Sequence, residues 1–82
     1  MKRDDTLMKA ILQALEDDDG GYITANRIRE TLAGDSAAKQ DAVTHHIRLL
    51  EDRGLVSVFE HGRVRLTWDG HEALKPRSSI FG

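Results

Sequence analysis

The chain contains no cysteine, a single proline, no long apolar run and no excess of positive charge. Without cysteine there can be no disulfides and no thiolate metal sites, a composition that fits a reducing, cytoplasmic setting. The apolar runs are only a few residues long, so neither a signal peptide nor a membrane span is expected. Internal repeats and low-complexity segments are also lacking. So are a nucleophile elbow, a phosphate loop and a zinc-protease motif, and Ser57 has no base visible beside it in the sequence. A chain of 82 residues leaves little room for a catalytic cleft or a separate sensing domain. No enzyme is expected, and no cofactor is implied.

What remains is the composition of a small globular domain: 39% hydrophobic and 32% charged. The expected organisation is one domain over residues 1–76 followed by a tail at 77–82. The net charge of −2 is awkward for a nucleic-acid partner, since such domains usually carry a basic excess. Its distribution is less so. Residues 1–36 hold five basic and eight acidic side chains, and residues 37–82 hold seven and six together with all four histidines. An anionic partner should therefore meet the second half.

Leu7, Ile11, Ala14 and Leu15 have helical spacing behind Asp4, Asp5 and Thr6, which predicts a first amphipathic helix over Thr6 to Asp17. It should end in Asp17-Asp18-Asp19-Gly20-Gly21, a terminator that lacks the alternating ligands of a calcium loop. Tyr22-Ile23 can form only a very short extended piece. Thr24 is the expected N-cap of a second helix carrying Ala25, Ile28 and Leu32 on one side. Gly34 should end it, and Asp35 or Ser36 should cap the next.

The third helix, Ala37 to Arg53, should bury Val43, Ile47 and Leu50, with His46 and Lys39 at one border. Asp41, Thr44, His45, Arg48 and Asp52 should point the other way. His46 is thus expected at the core edge with one ring nitrogen bonded to backbone, and His45 toward solvent or a partner. Adjacent histidines diverge by about 100° on a helix and no His-x₃-His pair exists, so no metal site is expected.

After Gly54 the period changes from helical to alternating. A two-residue turn at His61-Gly62 would pair Phe59 with Val64 and Ser57 with Leu66, placing Leu55, Phe59, Val64 and Leu66 on one face and Val58, Glu60, Arg63 and Arg65 on the other. His-Gly is a weaker turn signal than Asn-Gly, so a longer loop is the alternative. Thr67 should cap a closing helical segment from Trp68 to Lys75, ahead of Pro76. The predicted fold class is α+β, mostly α: three helices, a β-hairpin wing and a short C-terminal helical segment, in the arrangement of a winged helix-turn-helix.

Ala42-Val-Thr-His-His-Ile-Arg-Leu-Leu50, running into Glu51-Asp-Arg-Gly-Leu-Val56, resembles the recognition-helix segment of small bacterial winged-helix repressors of the arsenic-repressor and multiple-antibiotic-resistance types. Leu66-Thr-Trp-Asp-Gly70 resembles the end of their wing. The resemblance covers residues 24–75. Met1-Lys-Arg-Asp4, His46-Ile-x-Leu-Leu-Glu51 and Leu66-Thr-x-x-Gly-His-Glu72 look closer still to short bacterial and prophage proteins of unassigned function.

The resemblance implies that Thr44, His45 and Arg48 face double-stranded DNA, with Gln40 and Asp41 near the helix N-terminus. His61, Arg63 and Arg65 would contact it from the wing. These residue types suit such contacts, since Gln can pair with adenine, and Arg with guanine or phosphate. The chain departs from the pattern twice. His45 stands where the repressors often carry arginine, so a permanent charge is missing, and Asp41 repels phosphates unless it accepts a hydrogen bond from cytosine. A repressor of this size is expected to act as a homodimer with recognition helices about 34 Å apart. The competing expectation is a protein-interaction module, supported by the acidic first half and by Ile80-Phe81 as a docking element for a protein partner.

Overall fold

The structure is a computed structural model that describes residues 3–17 and 23–74. Helix α1 (Asp5–Glu16) is followed by strand β1 (Ile23–Thr24), helices α2 (Ala25–Ala33) and α3 (Ala37–Asp52), strands β2 (Val56–Val58) and β3 (Arg63–Leu66), and helix α4 (Trp68–Ala73). Among the described residues, four α-helices accompany a small antiparallel sheet in the order β1-β3-β2, an α+β fold dominated by helix. None of these helices is long and apolar enough to cross a membrane.

Local chemistry sets the helix ends. The side chains of Thr24, Ser36 and Thr67 each accept a hydrogen bond from a backbone N–H three residues on, capping α2, α3 and α4 as their positions predict. Helix α1 begins one residue earlier than expected, because the Asp4 carboxylate takes the capping role with Leu7 N–H. At the end of α3, Gly54 adopts φ +80°. This lets Leu55 N–H reach Leu50 C=O and Gly54 N–H reach Glu51 C=O, both at 2.9 Å. That pair of bonds satisfies carbonyls a helix end would otherwise leave open, and it turns the chain directly into the sheet.

The core gathers one face of each element. Val43, Ile47 and Leu50 of α3 are buried as their spacing requires. On α1 the buried stripe is Met8, Ile11, Leu12 and Leu15, rotated from the expected Leu7, Ile11, Ala14 and Leu15. Leu7 is only partly buried, since Met8 and Leu12 complete the i, i+3, i+4, i+7 set that fits against the other helices. Ile28 and Ala33 anchor α2, with Ala25 and Leu32 at the margin.

The hairpin departs from the expected register. Val56 pairs with Leu66, Ser57 with Arg65 and Val58 with Val64. The connection is a helical turn at Glu60–Gly62, longer than two residues, with His61 at φ 65° and Gly62 at φ 73°. Phe59 N–H donates to Arg63 C=O at 2.7 Å and closes it. One extra residue in the turn reverses which side chains of β2 face inward. Val56 joins Val64 and Leu66 in the core and Val58 lies on their face, whereas Phe59 is 41% exposed, not buried as predicted.

Strand β1 completes the sheet on the far side of β3, with Ile23 opposite Val64 and Thr24 opposite Arg63. The expected extended piece is present at Ile23, while Tyr22 lies outside the described residues. So do Asp18 to Gly21, Lys75, Pro76 and the Ile80-Phe81 tail. Thr67 ties α4 to the end of α3, its hydroxyl donating to Gly54 C=O at 2.6 Å. Gly70 of α4 is buried so close to Leu55 C=O that a Cβ would stand 2.1 Å from that oxygen.

Candidate nucleic-acid interface

The exposed side of α3 carries Asp41 and Arg48, with Gln40, Thr44 and His45 half-buried between it and neighbouring elements. Capping by Ser36 and burial of Val43, Ile47 and Leu50 on the opposite side hold this helix in place. Arg48 has no partner among the described residues, so its guanidinium is free to meet a ligand.

Thr44 and Gln40 are already engaged. Thr44 Oγ1 donates to Gln40 C=O at 3.1 Å and accepts from Arg29 Nη1 at 3.1 Å. Gln40 Nε2 donates to Gly34 C=O at 2.6 Å, which binds the side chain to the turn between α2 and α3. Pairing Gln40 with an adenine through that nitrogen's bonded hydrogen would require releasing this contact.

His45 and His46 separate as the helical angle demands. His45 is half-buried and His46 is 1% exposed, with the two rings edge to face, centroids 5.6 Å apart and planes at 84°. His46 makes two backbone bonds, not the single one expected. Nδ1 is 2.7 Å from Ala42 C=O, and Nε2 accepts from Asp4 N–H at 2.8 Å. These bonds require a neutral ring with its proton on Nδ1 and leave neither nitrogen available to a metal. Among the described residues, no group of three histidines or carboxylates could hold a metal ion.

On the sheet, Arg63 and Arg65 are exposed and alternate with buried Val64 and Leu66. Directly opposed residues share a face, so Thr24 and Ser57 lie beside the two arginines. The Arg65 guanidinium stands over the Phe59 ring, 5.8 Å from its centroid. This contact follows from the hairpin register. His61, at the tip of the turn, is exposed.

One residue at this surface gave no signal in the sequence. Arg29 of α2 reaches across to α3, its Nη1 on Thr44 and its Nη2 on the Asn26 side-chain oxygen. The Asn26-x-x-Arg29 spacing permits the second bond, but nothing in the sequence marks Arg29 as facing Thr44, fifteen residues away. Compared with known proteins, the chain matches no family model, no curated protein and no solved structure.

Proposed function

We propose that this chain is a winged helix-turn-helix protein that binds double-stranded DNA as a small cytoplasmic transcriptional regulator. α3 would enter the major groove and the β2–β3 hairpin would lie along the phosphates. The observation that carries this reading is a set of arginines, Arg29, Arg48 and Arg65, that pair with no carboxylate among the described residues. Unneutralised cations on α2, α3 and the hairpin supply a local attraction for phosphate despite the overall negative charge. Arg48 and His45 would reach base edges, and Arg63, Arg65 and His61 would meet the backbone. Asp41 fits a cytosine amino group. Occupancy of an operator by a dimer would follow protein concentration or a partner.

Selection from randomised duplex DNA at about 50 and about 200 mM salt tests the proposal, because phosphate contacts make binding steeply salt-dependent over that range. Recovery of an inverted repeat with half-sites one helical turn apart is expected. Absence of any enriched or salt-sensitive binding would refute it.

A second reading, a protein-binding module, draws on Trp68, which is 77% exposed at the start of α4. Exposed aromatic side chains are common anchors of protein interfaces. Under that reading Trp68→Ala abolishes complex formation with a protein partner without loss of fold, and an unaffected complex would exclude this surface.

A further inference from the structure

We infer that Arg29 is a phosphate-binding residue, held ready at the α2–α3 contact by Asn26 and Thr44, and that Thr44 serves as its positioning residue. The inference deepens the DNA-binding reading and rests on it for the identity of the ligand, a phosphodiester of the nucleic-acid backbone.

Arg29 is half-buried, and among the described residues the partners of its guanidinium are neutral oxygens, Thr44 Oγ1 at 3.1 Å and the side-chain oxygen of Asn26. Glu30, its neighbour in sequence, and Asp41 on α3 are exposed, and neither pairs with it. A cation partly withdrawn from water normally recovers the lost hydration from an opposite charge. Here that charge is missing from the described residues. The guanidinium has five N–H donors, and two bonds leave others for an anion.

Its orientation is set from both sides. The hydroxyl hydrogen of Thr44 is committed to Gln40 C=O, so its lone pairs are turned toward Arg29. Asn26, one turn earlier on α2, fixes the other arm. An arginine so restrained has already lost much of the rotamer freedom that binding would otherwise remove. Its planar fork suits two oxygens of one phosphate, which an ammonium group cannot match. The Thr44 hydroxyl therefore acts on DNA through Arg29 and not by contact with a base.

Two measurements test this. In the first, the Nε–Hε NMR resonance of Arg29 is followed while inorganic phosphate replaces chloride at constant ionic strength. A saturable shift is expected, and a resonance that does not move would overturn the site. In the second, duplex binding is measured for Arg29→Met, Arg29→Lys, Thr44→Val and Thr44→Ser, with folding checked by circular dichroism.

Arg29→Met should weaken binding to all sequences by about tenfold and lower the salt slope by about 0.9, the share of one phosphate. Arg29→Lys should recover the slope but not the full affinity. Thr44→Val should weaken binding severalfold with the slope retained, and Thr44→Ser should restore it. A folded Arg29→Met or Arg29→Lys protein with wild-type affinity and slope would eliminate the site while leaving DNA binding intact. A phosphate-dependent Arg29 shift in a protein that binds no duplex would instead keep the anion site and eliminate the DNA-binding reading.

Discussion

The ring of His46, midway along α3, accepts a hydrogen bond of 2.8 Å through Nε2 from the backbone N–H of Asp4, the residue that caps α1. Its Nδ1 is held by Ala42 C=O one turn earlier. A buried imidazole thus joins the start of the first helix to the helix that carries the candidate interface, and its polar atoms are satisfied without water.

Replacing His46 with leucine preserves much of the volume but leaves Asp4 N–H without its partner. The expected cost is about 0.5–1.5 kcal/mol in urea denaturation, the net worth of one hydrogen bond, because Asp4 itself is exposed. Long-range ¹H–¹⁵N spectra should show Nδ1 protonated and Nε2 bare. A protonated Nε2 in the native protein would show that the bond to Asp4 does not form.

The hairpin register predicts opposite outcomes for two neighbouring apolar residues. Val56 is 2% exposed and Phe59 is 41% exposed. Val56→Ala should therefore destabilise by about 1.5–3 kcal/mol and Phe59→Ala by less than about 1 kcal/mol, although phenylalanine is the larger side chain. The reverse order would indicate the shorter turn and the Phe59–Val64 pairing.

Gly70→Ala would normally favour a helix by about 1 kcal/mol. In α4 the added methyl would meet Leu55 C=O at 2.1 Å and Leu66 Cδ2 at 2.9 Å. Since one obstacle is backbone, α4 must move away, and a net loss of about 2–4 kcal/mol is expected from thermal or denaturant unfolding. Unchanged stability would mean that α4 does not pack this tightly.

For the proposed interface, Arg48→Ala should weaken the preferred duplex by about 1–3 kcal/mol and relax selectivity at one base pair. Arg63→Ala should weaken all duplexes alike and reduce the salt slope by about one. Competition between selected and scrambled duplexes separates the two effects. Equal, sequence-independent losses for both variants would remove base reading from Arg48.

Features that depend on short sequence separations are legible in the order of residues itself. Thr24, Ser36 and Thr67 cap the helices that follow them, because an N-cap needs only its own hydroxyl and an amide three residues on. Gly54 marks the end of α3 for a similarly local reason, and helical spacing alone puts Val43, Ile47 and Leu50 inside. Even the divergence of His45 and His46 follows from the angle between consecutive helical residues.

Tertiary structure decided what spacing leaves open. The alternation in β2 and β3 is compatible with two registers that differ by one residue, and only packing of Val56 against the helices selects the one that exposes Phe59. Helical spacing places His46 at the core edge but does not identify Asp4 as its second partner, because those residues meet only when α1 packs on α3. The resemblance implies a base contact for Thr44, yet its hydroxyl is bonded to Arg29 once α2 crosses α3. Amino-acid order determined the elements, their ends and most inward faces through interactions within a few residues. Contacts between elements, set by the joint burial of those faces, determined which polar groups are already occupied and which cations remain uncompensated.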